Sequence, residues 1–139
     1  MDQKVCYYIK LITIMEFPET EIAEIKKFMN LLNSQKNCAV VVEGKRDSAA
    51  LVKLGYSGKI LEFHRFNGMI KFADSAAKYH KLILLLDGDR KGRYLTKKII
   101  ELLEHRTKID LLFKKKLVSI TKGKIRFIDQ LICYESYFV

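Results

Sequence analysis

From Cys38 onward the hydrophobic and polar positions alternate between two periods. Ala39–Val42 is a short β-branched run and reads as a buried strand. Arg46–Leu54 has helical spacing and is closed by Gly55. Lys59–Phe63 predicts a second short strand, and Gly68–Tyr79 a helix with Met69, Ile70, Phe72, Ala73, Ala76 and Ala77 on its apolar face. Leu82–Leu86 is an unbroken aliphatic run, the pattern of a strand covered on both faces. Gly92–His105 predicts a long helix with Leu95, Ile99, Leu102 and Leu103 facing inward, and Ile109–Phe113 a fourth strand. Upstream, Ile22, Ile25, Phe28, Met29 and Leu32 recur on one helical face after Pro18, and Glu19, Glu21 and Glu24 suit the start of that helix. Residues 114–139 combine a lysine run, a turn at Lys122–Gly123 and a final apolar segment readable as helix or strand. Strands alternating with helices of this length predict an α/β fold, a parallel sheet covered by helices with right-handed crossovers.

Residues 1–14 have no clear period. Translation starting at Met15 and an added edge strand are both compatible with them. Val5–Met15 is largely apolar but is followed by no small-residue cleavage site, so no secretory signal is expected.

The 139 residues suit one domain, and no stretch approaches the ~18 apolar residues of a membrane span. Cys6, Cys38 and Cys133 are too few and too scattered for a disulfide framework or a zinc site, which suits a reducing cytoplasm. Charge changes the picture more. Lys and Arg number 26 against 16 Asp and Glu, a net charge of +10, so an acidic partner is expected: nucleic acid first, an anionic membrane surface next. Residues 88–139 carry 13 basic and 6 acidic side chains, against 13 and 10 before them.

In a parallel sheet, ligands gather at the carboxyl ends of the strands. Ala39–Val42 runs directly into Glu43-Gly44-Lys45-Arg46-Asp47, and Leu82–Leu86 into Asp87-Gly88-Asp89-Arg90-Lys91-Gly92-Arg93. Adjacent strands lie about 4.8 Å apart, so Glu43, Asp87 and Asp89 can converge on one volume. Three such carboxylates repel unless one takes a proton or a cation intervenes, and an all-oxygen set suits Mg²⁺, with Mn²⁺ as substitute. Taken alone, each acid also reads as a turn or cap residue. In an extended turn Asp87 and Asp89 point to one side, and Gly88 and Gly92 let the backbone approach a ligand closely.

The pair of segments, strand-Glu-Gly and strand-Asp-x-Asp-x-x-Gly, resembles the Toprim domain of bacterial-type primases, type IA and type II topoisomerases, overcoming-lysogenization-type nucleases and ribosomal-RNA maturases. The resemblance is closest to the small stand-alone Toprim proteins of archaea. It covers about residues 38–113, which suggests a Toprim core flanked by an N-terminal extension and helix (1–37) and a basic C-terminal extension packed on it (114–139). It implies a Rossmann-like four-stranded parallel sheet between helices, magnesium dependence and action on phosphodiester bonds. By position, Glu43 matches the family's general acid or base and Asp87 and Asp89 its metal-holding aspartates. Glu43 could instead complete a second metal site. A complete topoisomerase is not expected from 139 residues.

Lys45, Arg46, Arg90, Lys91 and Arg93 flank the acids and are the candidate phosphate contacts. The helix opening near Gly92 offers backbone N–H groups to an anion. Lys97, Lys98, the Lys114–Lys116 run, Lys122, Lys124 and Arg126 could extend a nucleic-acid platform or be an ordinary solvated face. Rival patterns fit less well. Gly44-Lys45 lacks the rest of a phosphate-binding P-loop, and Arg90-Lys91 stands where haloacid-dehalogenase phosphatases carry Thr or Val after Asp-x-Asp. His64, His80 and His105 read as structural or surface residues, and Tyr7, Tyr8, Tyr134 and Tyr137 as packing residues. The expected function is Mg²⁺-dependent cleavage of RNA or DNA. The alternatives are a non-catalytic nucleic-acid-binding subunit with a protein partner in a processing complex, and a primase-like nucleotidyl transferase.

Overall fold

The computed structural model describes residues 17–138. Tyr7, Tyr8 and the two readings of residues 1–14 lie outside them. Helix α1 (Glu19–Asn33) leads into β1 (Cys38–Val42), α2 (Lys45–Lys53), β2 (Ile60–Glu62) and a 3-10 turn (Phe63–Arg65). Then follow α3 (Met69–Ala76), β3 (Lys81–Leu84), α4 (Arg90–Leu103), β4 (Lys108–Asp110), α5 (Leu112–Thr121) and a C-terminal 3-10 segment (Ile128–Tyr137). The sheet has the order β2-β1-β3-β4 and every pairing is parallel. No described helix is long and apolar enough to cross a membrane.

Side-chain alternation along β1 divides the core in two. Val40 and Val42 face a cluster with Ile25, Phe28 and Leu32 of α1, Leu51 of α2 and Leu117 of α5. Ala39 and Val41 face Phe72 and Ala76 of α3 and Leu95, Ile99 and Leu103 of α4. The central strands β1 and β3 are therefore covered on both sides, as their unbroken apolar runs require. Gly55, with φ +99°, follows the end of α2 and turns the chain where a side chain would be strained.

The fourth strand is shorter than expected. Instead of running Ile109–Phe113, it stops at Asp110, whose carboxylate accepts from the N–H groups of Leu112 (2.8 Å) and Phe113 (3.4 Å) and so opens α5. Three successive lysines mask the periodicity of this helix, yet Phe113, Leu117 and Thr121 form its buried face. The lysine run is therefore helical, and Lys122 (φ 53°) and Gly123 (φ 77°) make the turn that ends it.

Beyond that turn, Ile125, Ile128, Leu131 and Tyr134 enter the same cluster as α1 and α2. Tyr134 is fully buried, stacks on Phe17 at 4.3 Å and donates to Glu21 Oε2 at 2.9 Å. Lys124 closes the pair on Glu21 Oε1 at 2.8 Å. Glu21 is thus a buried partner of the C-terminal segment, beyond any part it plays at the start of α1.

Candidate metal and nucleic-acid site

The chain leaves β1 for β2 on one side and later returns to pair β3 with β1 on the other. A crevice opens at the carboxyl ends of the two strands where the winding reverses. Glu43 follows β1 directly; Leu85 and Leu86 carry the chain from β3 to Asp87, with Leu85 N–H still bonded to Val41 O at 2.9 Å.

Glu43 is buried, and its Oε1 has no hydrogen-bond partner. Burial raises its pKa; Asp87 and Asp89 raise it further, while Lys91 and His64 oppose them. Asp47 belongs to the same group although the sequence reading gave it no role. Its carboxylate accepts from Gly44 N–H at 3.2 Å, and burial, followed by the charge of Asp87, pushes its pKa up to about 7. Its position four residues after Glu43, at the first turn of α2, was the available signal.

Asp87 and Asp89 are each held by one oxygen. Asp87 Oδ1 accepts from Ile128 N–H at 2.8 Å, and Asp89 Oδ1 caps α4 by accepting from Gly92 N–H at 2.7 Å. Carboxylate oxygens, the unpartnered Oε1 of Glu43 included, are hard donors of the kind Mg²⁺ or Mn²⁺ takes. Among the described residues, however, no three acidic, imidazole or thiolate groups close up into a metal-ligating cluster. The carboxylates share an edge and act on one another without forming a finished cage.

The glycines differ from expectation. Gly92 makes room for the chain's own backbone, because a Cβ there would stand 2.0 Å from the Asp87 carbonyl oxygen. Its N–H is used by Asp89 and is not offered to an anion. Gly88 donates its N–H to Arg126 O at 2.7 Å, so this loop is tied to the C-terminal segment. Gln130 fastens the same segment by accepting from the N–H groups of Arg126 (2.9 Å) and Phe127 (3.0 Å).

Lys45, Arg46, Arg90, Lys91 and Arg93 are all exposed around this edge. Arg93 joins Asp87, Thr96 and Lys114 in lining a cleft of about 280 Å³ floored by Leu84, Leu86 and Leu111. Lys114 is not a surface lysine like its two neighbours: its buried ammonium makes no hydrogen bond. Burial lowers its pKa, against the pull of Asp87, Asp47 and Asp89. Nothing in a run of three lysines marks which one turns inward. His64 is exposed, but its N–H bonds Glu43 O at 2.9 Å and its ring lies against Gly44, so it borders the site.

A sequence model of the Toprim domain matches residues 38–121. The chain belongs to the Toprim family. Among its relatives, a UPF0292 protein of Thermococcus sibiricus is 38% identical over 96 residues, covering 68% of this chain and 75% of that protein. A UPF0292 protein of Methanocaldococcus jannaschii is 36% identical over 98 residues, covering 68% and 76%. A solved structure of a putative protein from Aquifex aeolicus superposes with a TM-score of 0.60 at 25% identity, over 76% of this chain and 95% of that one. Small archaeal UPF0292 proteins are thus among its relatives, and the Toprim family supports a metal-dependent function related to nucleic acids.

Proposed function

We propose that this Toprim protein binds RNA or DNA and cleaves phosphodiester bonds with Mg²⁺, Asp87 and Asp89 holding the ion and Glu43 acting as general acid or base. The reading rests on Glu43: a buried carboxyl with a raised pKa and an unpartnered oxygen, beside two aspartates in the crevice between β1 and β3. A carboxyl kept protonated closer to neutral pH can donate to a leaving 3′-oxygen and then recover the proton. When bound, the ion would stabilise negative charge on the phosphate oxygens. Lys45, Arg46, Arg90, Lys91 and Arg93 would hold flanking phosphates, since positioning and electrostatics supply most of the catalysis in phosphoryl transfer.

One observation favours a second reading, a non-catalytic nucleic-acid-binding subunit: no three ligating groups among the described residues form a closed cluster. Cleavage of labelled structured RNAs and DNAs with Mg²⁺ or Mn²⁺ separates the two, using the protein beside its Asp87→Asn/Asp89→Asn and Glu43→Gln variants. Asparagine keeps an acceptor for Ile128 N–H and Gly92 N–H, so structure and charge are tested apart. Metal-dependent cleavage lost in both variants supports the nuclease. Binding without cleavage on every substrate, unchanged in the variants, supports the subunit.

A further inference from the structure

A groove of about 300 Å³ is lined by Phe63, Met69, Lys91, Tyr94, Leu95 and Lys98. Both of its walls are tied to Glu43. Phe63 precedes His64, whose N–H bonds Glu43 O, and Lys91 is the cation that most strongly opposes the raised pKa of that carboxyl. Tyr94 is 63% exposed, although it sits on α4 next to the buried Leu95. Lys98 stands over the Tyr94 ring at 5.6 Å from its centroid.

A lone exposed aromatic needs no explanation. Here an exposed ring, a second aromatic and a thioether line one recess edged by two lysines, of which Lys98 also pairs with Glu101 Oε2 at 3.5 Å. Apolar walls with a cationic rim complement a flat aromatic ring attached to phosphates. We propose that this groove seats an unpaired nucleobase of the strand whose phosphate meets Glu43, stacked on Tyr94, with Lys91 and Lys98 against the neighbouring phosphates. The proposal rests on the nucleic-acid reading above and adds that the substrate is single-stranded, or locally unpaired, at the site. The groove's volume lies at the lower end of the range for ligand pockets, which suits one base. Stacking also requires a free π-face, which stacking on neighbouring bases within a duplex covers.

The chain contains no tryptophan, so Tyr94→Trp places a single fluorescent reporter in the groove. Single-stranded oligonucleotides and matched duplexes of RNA and DNA are titrated with Ca²⁺ in place of Mg²⁺, following tryptophan emission and the anisotropy of the labelled strand together. The expected result is quenching that saturates with single-strand binding and is absent with duplex, and a loss of about tenfold in single-strand affinity in Tyr94→Ala, restored in Tyr94→Phe. Emission unchanged while anisotropy saturates, or affinity in Tyr94→Ala within twofold of the unaltered protein, overturns the groove's assignment and leaves the nucleic-acid reading standing. Failure of the unaltered protein to bind any strand overturns that reading, and the groove's occupant with it.

Discussion

Replacing Gly92 by alanine reverses the usual sign of a glycine-to-alanine change in a helix. Within α4 the added methyl should stabilise by about 1 kcal/mol through propensity alone. Its Cβ, however, would stand 2.0 Å from the Asp87 carbonyl oxygen, 2.8 Å from the carbonyl carbon and 3.1 Å from the nitrogen, all backbone atoms. Optimal non-bonded contacts lie near 3.5 Å, so loop and helix must part by about 1.5 Å. Neither yields cheaply. The loop is pinned by Gly88 N–H to Arg126 O and by Ile128 N–H to Asp87 Oδ1, and the helix by Leu95, Ile99 and Leu103 in the core. Overpacking costs about 1–3 kcal/mol and loss of the Asp89 cap about 1 kcal/mol more. Set against the propensity gain, the net destabilisation is about 1–3 kcal/mol, a fall in Tm of roughly 4–12 °C for a chain of this size. Thermal and urea unfolding followed by circular dichroism measures it. Gly88→Ala is the control, because its Cβ would meet Arg126 O at an ordinary 3.4 Å and should change stability by less than about 1 kcal/mol. A Gly92→Ala protein as stable as the unaltered one, or more so, would refute the argument that this glycine sets the spacing between the Asp87 loop and α4.

Two further predictions concern buried polar groups. The Asp47 carboxyl, with an ordinary pKa of 3.8, is pushed up to about 7 in the fold, so between those values the native state holds a proton the unfolded chain has released. Stability therefore falls as pH rises from about 4 to 7. Asp47→Asn should match the unaltered protein near pH 4 and exceed it increasingly up to pH 7, as urea midpoints with metal chelated would show; parallel profiles would contradict this. Tyr134→Phe leaves buried Glu21 Oε2 without its donor at 2.9 Å and should cost about 1–3 kcal/mol, whereas Tyr137→Phe, at an exposed ring, should change thermal stability little.

The sheet and its acidic edge were legible because β1 and the Leu82–Leu86 run that extends β3 are continuous and apolar and lead straight into Glu43 and Asp87. Strand composition fixes burial locally, and parallel winding then brings the exits together. What escaped was non-local or masked. Three consecutive lysines hid both the periodicity of α5 and the inward turn of Lys114. Asp47 looked like one more acid at a helix start, and its perturbation comes from burial and from a carboxylate forty positions away. Glu21 suited the macrodipole of α1, but its hydroxyl partner, Tyr134, lies 113 residues further on. Gly92 was correctly read as a close approach and wrongly matched to a ligand, since sequence spacing does not show which atoms approach.

The hydrogen bond between Asp87 and the Ile128 amide makes one carboxylate answer to two claimants. A ligand that draws on Asp87 must act on the same group that anchors the C-terminal segment, and by thermodynamic linkage the anchoring feeds back on affinity to the same extent. Local opening of residues near 128 would then be part of that ligand's binding equilibrium and not a remote fluctuation. Exchange of the Ile128 amide with solvent deuterium, slowed or hastened as a ligand is added, would read the state of the acidic edge from the far end of the chain.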